Sequence, residues 1–450
     1  MKYSILGVCV GLLLAAPGAA QNTPNVTLTS SVSYGVGTCA DLWVDGDLLF
    51  IARRSQGFDI LDVSDPDNPS GLFSGRSDLF VQDVKVDGTT MYCSNESGNG
   101  QSVVVFDIAD PSNPIEIGSF GGLSMFACNN MARFGSTLYC CSVTGNRVVV
   151  LDVSTPSAPI EVTSFSAQSI IALVHDVAVV GDRLYVSWLS GGFEIHDIST
   201  PQSPSLVLAH QVPTSLIHNT YPLRDGIHVA TTDEVSGGYL RIWNITNPAT
   251  PNQVAQWRAH PVAVMHNLQI VGDYAFITNY TQGLRIVDLR VPTLPQEAGF
   301  YDTFPMVNPF AFGAWGVYAE RNNVYVADFN TGLYVFDFNQ VGGILSSAQT
   351  SVTWGQTINL SVGGDSTAAT LDSLIIADLS FSISQLGPAT ASLFTLQGPF
   401  PAGFNGTIPY DIPLPAGGPP GPYDVTFTLT IADITNNLVF DTATANVQIN

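Results

Sequence analysis

The sequence predicts an all-β protein: a seven-bladed β-propeller closed by an N-terminal strand, followed by a small immunoglobulin-like β-sandwich. Three observations carry this expectation. The run LDVSTPSAP at 151–159 has near-copies LDVSDPDNP at 61–69, FDIADPSNP at 106–114, HDISTPQSP at 196–204, WNITNPATP at 243–251 and VDLRVPTLP at 287–295. Aligned on Asp62, Asp107, Asp152, Asp197, Asn244 and Asp288, successive copies lie 44 to 47 residues apart, and a degenerate copy at Asp337 follows after 49. Each interval reads as four short strands with turn signals between them, and no stretch beyond the N-terminus keeps a 3.6-residue apolar period. Four-strand units repeating near 45 residues fit propeller blades.

The chain opens MKYSILGVCVGLLLAAPGAAQ. Lys2 supplies a positive start, Ile5 to Ala16 an apolar run, and Gly18-Ala19-Ala20 small residues for cleavage. Residues 1–20 therefore read as a secretory signal peptide, too short for a membrane span. No second long apolar run follows, so the expected product is exported, secreted or held at the cell surface, with no transmembrane segment.

Composition narrows the partners. Charged residues are only 11% and hydrophobic ones 45%, enough for a large core. Fourteen basic residues face 37 acidic ones, a formal net charge of −23. Such a surface repels nucleic acid and anionic membranes and suits solubility or cationic partners. Cys39, Cys93, Cys128, Cys140 and Cys141 remain after cleavage, an odd number with no CxxC or Cys/His metal spacing, so at least one thiol has no partner within the chain. Cys93 and Cys140 stand where other repeats carry Val or Ile, the places of small buried hydrophobes. Pairing of Cys128 with Cys141, in neighbouring strands of one blade, is left open.

Residues 21–344 are assigned to the propeller. In 175–210, DVAVVG stops at Gly181, RLYVSWL follows, Gly191-Gly192 turns into FEIHDI, and two prolines precede SLVLAH. The recurrent Asp ends the third strand. Its side chain is suited to accept a backbone N–H two residues on, an Asx-turn that Asn244 makes equally well, while each Pro fixes φ and ends strand pairing. Asp62, Asp107, Asp152, Asp197, Asn244 and Asp288 are therefore expected to be structural turn residues. Third strands outnumber complete outer strands by one. TPNVTLTSSVSYG at 23–35 resembles APIEVTSFSAQ at 158–168, so residues 24–33 are expected to supply the missing outer strand and remove the exposed edge.

Residues 345–450 lose the period. Segments 350–362, 372–384 and 423–449 alternate apolar and polar residues, the last as a hairpin around Ile434 to Asn437. PFPAGFNGTIPYDIPLPAGGPPGPY reads as one long Pro/Gly loop between strands. Short strands over this length suggest an immunoglobulin-like sandwich serving adhesion, carbohydrate contact or spacing.

The [LVFI]-[VLI]-D-[VI]-S-x-P-x-x-P run resembles the LVIVD repeat of exported bacterial and archaeal proteins. Signal peptide, repeats and a divergent C-terminal piece together resemble the choice-of-anchor B group, over about residues 24–340. The resemblance implies a seven-bladed propeller outside the cell and says little of activity, which must be argued from sites.

The candidate site comes from aligning the first strand of each blade. The leading pairs are Ala40-Asp41, Gln82-Asp83, Asn129-Asn130, His175-Asp176, His218-Asn219, His266-Asn267 and Trp315-Gly316. Inner strands line a propeller's channel, so these pairs form a ring at one mouth. Asp41, Asp83, Asn130, Asp176, Asn219 and Asn267 are expected to be scaffold residues bonding neighbouring blades. Gln82, Asn129, His175, His218, His266 and Trp315 are expected to contact a ligand. Three successive imidazoles are also suited to hold one Zn, Cu or Fe ion with an open position, the amides and carboxylate behind them fixing tautomers; the alternative expectation is that they only hydrogen-bond across the mouth.

Other chemistry is thin: no GxSxG, HExxH, P-loop or strand-borne GxGxxG occurs, and the Asp-rich turns lack an EF-hand pattern. No catalytic residue is assigned. Trp188, Trp257, Tyr301, Phe304 and Phe310 are expected to be exposed on a binding face, Trp243 to be core, and the apolar segment 305–315 to overhang the mouth or plug it. Two functions follow as expectations, with a self-assembling, purely structural surface-layer protein as a third. The first is a non-enzymatic protein presenting a site to a protein, glycan or small molecule outside the cell. The second is a metal-dependent hydrolase, lyase or oxidase using His175, His218 and His266.

Overall fold

A computed structural model describes residues 23–450 except 24–25, 35–37, 98–99, 123–126, 170–171, 305–311, 321–322, 339–340, 348, 350, 367–370, 384–389, 401–404, 415, 417–420 and 434–437. The expected leader 1–20, Phe310 and most of segment 305–315 thus lie outside the described residues. Every regular element among the described residues is a β-strand.

Residues 26–338 form four-stranded antiparallel sheets, seven among the described residues. Six are meanders contiguous in sequence, over 42–75, 81–120, 128–165, 176–210, 217–257 and 268–301. The remaining sheet takes three strands from 314–338, and its outer strand is Val26–Ser33, which pairs antiparallel with Gly332–Phe338. Chain start and repeat end are therefore joined by backbone hydrogen bonds.

Hydrophobic burial lies between sheets. Phe50, Phe58 and Ile60 pack against Val84, Met91 and Phe106. Val103 and Val105 meet Met131 and Leu138; Tyr139 and Val150 meet Leu184 and Trp188; Phe193 and Ile195 meet Val229 and Trp243. Ala230 and Ile242 meet Ala275 and Ile277, and Phe276 and Ile286 meet Val326 and Phe336. Finally Leu333 and Val335 meet Leu49 and Ile51 of the 42–75 sheet. The alternation of each strand supplies one apolar row to the sheet before it and one to the sheet after it.

The turn device is visible in each copy. The side-chain oxygens of Asp62, Asp107, Asp152, Asp197, Asn244 and Asp288 accept the backbone N–H two residues on, at 2.8–3.0 Å. The alignment had not foreseen a bulge in the pairing of third and outer strands, which recurs at Ile60/Leu61, Val105/Phe106, Val150/Leu151, Ile195/His196, Ile242/Trp243 and Ile286/Val287. It bends the outer strand just after the turn.

The C-terminal residues form a three-stranded sheet of Val341–Ser347, Thr357–Ser366 and Asn405–Pro413, and a five-stranded one of Ser351–Val352, Leu438–Ile449, Tyr423–Asp433, Leu371–Ile383 and Thr390–Phe400. Ile358, Leu360 and Val362 from the first sheet share a core with Val425, Phe427, Leu429 and Val447 from the second. The expected Pro/Gly loop is corrected here. Thr390–Phe400 and Asn405–Pro413 are strands, the second paired with Thr357–Ser366 at the sheet's edge, where a missing proline N–H is tolerated.

All five described cysteines are free and buried. Cys128 lies opposite Ser142 rather than Cys141. The expectation of exposed aromatics also needs correction. Trp188 is wholly buried between sheets, and Trp257, Tyr301 and Phe304 are half-buried on outer strands or behind them. Trp243 is buried, its Nε1–H donating to Thr231 Oγ1 at 3.0 Å.

Candidate functional site

The leading residues of the inner strands come together. Gln82, Asn129, His175, His218, His266 and Trp315 line a cavity of about 250 Å³, joined by Arg54, Glu234 and Tyr280. The second residues of the pairs lie one step deeper. Asp41, Asn130, Asp176, Asn219 and Asn267 line a constriction of about 70 Å³ together with Lys85. A wider opening of about 950 Å³, bordered by Trp43, Tyr185, Tyr221 and Tyr318, lies beyond it.

The deeper residues tie the sheets together, two of the bonds between neighbours and the third, from Asn267 to Asp41, past the intervening 314–338 sheet. Asp83 Oδ2 accepts Met131 N–H at 2.9 Å, Asn219 Oδ1 accepts Leu268 N–H at 3.0 Å, and Asn267 Nδ2 donates to Asp41 Oδ2 at 3.0 Å. Lys85 donates to Asp83 Oδ1 within the channel. Burial, with Asp83 adding to it, pushes the Asp41 carboxyl up to about 7. Burial also raises Asp176 well above the usual carboxylate range. It opposes the Lys85 ammonium, but Asp83 and Asp41 outweigh it and hold that pKa raised.

The three imidazoles sit in series, adjacent rings tilted by 47° and 46°. His175 and His218 have ring centroids 4.2 Å apart, His218 and His266 4.1 Å, and His266 and Trp315 4.5 Å. Burial, then the neighbouring His218, pushes His175 down to about 3; burial pushes His218 down to about 4, against its Asn219 bond. His266 is lowered well below its ordinary value, again chiefly by burial. At neutral pH all three are neutral and offer lone pairs. The tautomers follow from their partners. His266 Nδ1–H donates to the Trp315 carbonyl at 2.8 Å, because that oxygen only accepts. His218 Nδ1 lies 2.9 Å from Asn219 Oδ1, which the Leu268 N–H fixes as the oxygen, so Nδ1 carries the proton and Nε2 the lone pair.

The expectation of three imidazoles on one ion meets a different geometry. The donor atoms lying within 4.8 Å of one another belong to His175, His218 and Glu234, and His266 is outside that group. Glu234 accepts the Tyr280 hydroxyl at Oε1, 2.6 Å away, and its pKa is raised by burial.

Glu234, Tyr280 and Arg54 were missed because the alignment followed the first strands alone. They belong to a second recurrent position, just after the second strands Leu48–Ala52, His228–Asp233 and Tyr274–Thr278. Glu96 and Phe329 hold the same place after Thr90–Asn95 and Asn323–Asp328. Aligning RRSQG, NESG, DEVSG and NYTQG would have found them. Arg54 and Tyr280 have positive φ (48° and 39°) and bridge to Val81 and Ala314 of the following sheet. The Arg54 guanidinium lies over Phe80, Phe329 and Trp315 at 4.8, 5.1 and 5.7 Å and has no salt bridge among the described residues. Glu96 is engaged instead by Gln82 Nε2 and Asn129 Nδ2, at 3.1 and 3.0 Å. His175 Nδ1, His218 Nε2 and Gln82 Oε1 are buried without a hydrogen-bond partner among the described residues.

The family described as "LVIVD repeat" matches at residues 36–74, 81–121, 139–167, 173–211, 265–303 and 313–344. Among solved structures, the β-propeller domain of Cps50 (Swd1) from Myceliophteria thermophila aligns with a TM-score of 0.51 at 11% identity, covering 69% of this chain and 99% of that one. The computationally designed Ika8 protein aligns with a TM-score of 0.49 at 10% identity, covering 69% and 99%. Comparison with curated proteins gives no match. The Cps50 likeness is one of fold.

Proposed function

We propose, from the premise that this chain is an LVIVD-repeat β-propeller protein, that it is an exported binding protein whose ligand site is the histidine-lined mouth of a closed seven-bladed ring. Seven sheets with an apolar cluster at each of seven junctions support the ring, and the pairing of Val26–Ser33 with Gly332–Phe338 supports its closure. The Lys2 start and the apolar run to Ala16 support export, as in the choice-of-anchor B type. No helix among the described residues is long and apolar enough to cross a membrane. The two C-terminal sheets, whose first strand begins at Val341 rather than at residue 345, share one core and support an immunoglobulin-like sandwich serving attachment or a second contact.

One observation carries the binding function: a cavity of about 250 Å³ is walled by polar groups from six sheets, and several of their buried atoms have no partner among the described residues. A buried acceptor without a partner costs about 1–3 kcal/mol, which a ligand donor or cation recovers. A ring holds such groups in place beforehand, so little ordering is lost on binding. Arg54 supplies a guanidinium with no salt bridge among the described residues, Glu96 acting on it only as a nearby charge, so the ligand is a small polar molecule bearing an anionic group.

Thermal unfolding of the chain from residue 21 onward, with phosphate, small mono- and dicarboxylates and simple sugars, tests this. A ligand at a hundred times its Kd stabilises by about 2.7 kcal/mol. An anionic ligand is expected to raise the melting temperature of the wild type but not of Arg54→Ala. Stabilisation that Arg54→Ala leaves intact, or none across the panel, contradicts the proposal.

A further inference from the structure

We infer that His175, His218 and Glu234 bind one divalent transition-metal ion of borderline softness, such as Zn²⁺ or Co²⁺, at the histidine-lined mouth; this rests on that mouth being the ligand site. The bare Nε2 of His218 faces Glu234 Oε2 at 4.0 Å. His218 is 1% exposed, and this nitrogen has no partner. The Asn219 contact has already taken the Nδ1 proton, so a lone pair looks directly at a carboxylate oxygen. Two acceptors buried face to face repel unless a cation lies between them. Glu234 is itself held, because the Tyr280 hydroxyl occupies its other oxygen. His175 completes the group, with its buried Nδ1 also without a partner.

The donor set selects the ion. Two imidazole nitrogens and a carboxylate are ligands for zinc-like metals at about 2.0–2.2 Å. Tetrahedral ligation at those lengths places donors about 3.3 Å apart. From a spread of 4.8 Å or less, small side-chain rotations reach it. The Asn219 and Tyr280 bonds orient two of the three ligands, the arrangement that second-layer partners provide in metal sites. Three protein ligands would leave a fourth position for a group from the cavity, which Arg54 and Gln82 also line. Calcium and magnesium, which prefer oxygen cages, are disfavoured. His266 remains outside the set, its Nδ1–H given to Trp315.

The test is titration of the chelator-treated chain with Co²⁺ at neutral pH, followed by visible absorption, then displacement by Zn²⁺. The expected result is one Co²⁺ per chain with the intense visible bands of a four- or five-coordinate nitrogen/oxygen site, bleached by one equivalent of Zn²⁺. Glu234→Gln, which keeps the shape and the Tyr280 contact, is expected to weaken binding at least tenfold, and His218→Ala to abolish the bands. His260→Ala, at an exposed histidine outside the site, leaves them unchanged. Circular dichroism melts establish that each variant is folded; if His218→Ala is not, Glu234→Gln alone decides. Absence of stoichiometric Co²⁺ binding, or binding that Glu234→Gln leaves undiminished, overturns the inference. The two failures are separable. A metal-free chain that still gains stability from an anion through Arg54 loses only the metal. A chain that binds Co²⁺ but no panel ligand keeps the metal and loses the anion site.

Discussion

Asp107 shows what a single residue contributes to this chain. Its Oδ1 holds the Ala109 N–H at 2.9 Å where the third strand must stop. Removing that acceptor frees one backbone donor, and Asp107→Ala is expected to lower stability by about 0.5–1 kcal/mol in denaturant melts. Asp107→Asn should leave it unchanged, because Asn244 performs the same task. Equal losses in both variants would refute the Asx account. At the constriction, Asp41 sets a pH dependence. Its folded pKa of about 7 stands above the ordinary 3.8, through burial and then Asp83. Its stabilising contribution is complete below about pH 4 and is lost as pH rises through about 7, on the order of 2–4 kcal/mol. The wild type should therefore lose stability relative to Asp41→Asn between pH 5 and pH 8, and parallel profiles would contradict this.

At the scale of elements, the tight turns decide what each sheet tolerates. Gly192 has φ +84°, and a Cβ there would lie 2.0 Å from the His210 carbonyl oxygen of the outer strand. Gly181 has φ +59° with nothing within 4 Å. Gly192→Ala is thus expected to cost about 2 kcal/mol or more, and Gly181→Ala about 1 kcal/mol, by chemical denaturation. Equal costs would mean that the close approach does not matter. Strands, turns and the borrowed outer strand were legible because alternation and Asp-Pro-Pro spacing act locally. The bulges were not, since they depend on the twist between two strands. The edge strand Asn405–Pro413 was obscured by prolines that an edge tolerates. His175, His218 and His266 were found because first strands align by their apolar pattern. Glu234 and Arg54 escaped because they follow strand ends, where that pattern stops, and only the ring brings them across to the histidines.

For the whole molecule, closure is the decisive property. Val26 is fully buried among residues of two sheets, and the strand it begins covers the backbone edge of Gly332–Phe338. Deleting residues through Ser33 would expose that edge beside Tyr334 and Phe336. The truncated chain is expected to melt lower and to associate on size-exclusion chromatography, and a synthetic peptide of residues 21–34 should restore the monomer. An unchanged melting temperature and a monomeric profile would contradict closure by this strand. Closure also sets the site, because the ring brings loops from sheets more than 150 residues apart in sequence, such as those of Arg54 and Glu234, to one mouth.

The most direct single measurement is an anomalous difference map from crystals of the chain from residue 21 onward grown with Zn²⁺, with data collected on both sides of the zinc absorption edge. One peak is predicted at the mouth, bonded to His218 Nε2, a Glu234 oxygen and a His175 nitrogen at about 2.0–2.2 Å. No peak there, or ordered zinc only at surface carboxylates, would contradict the account.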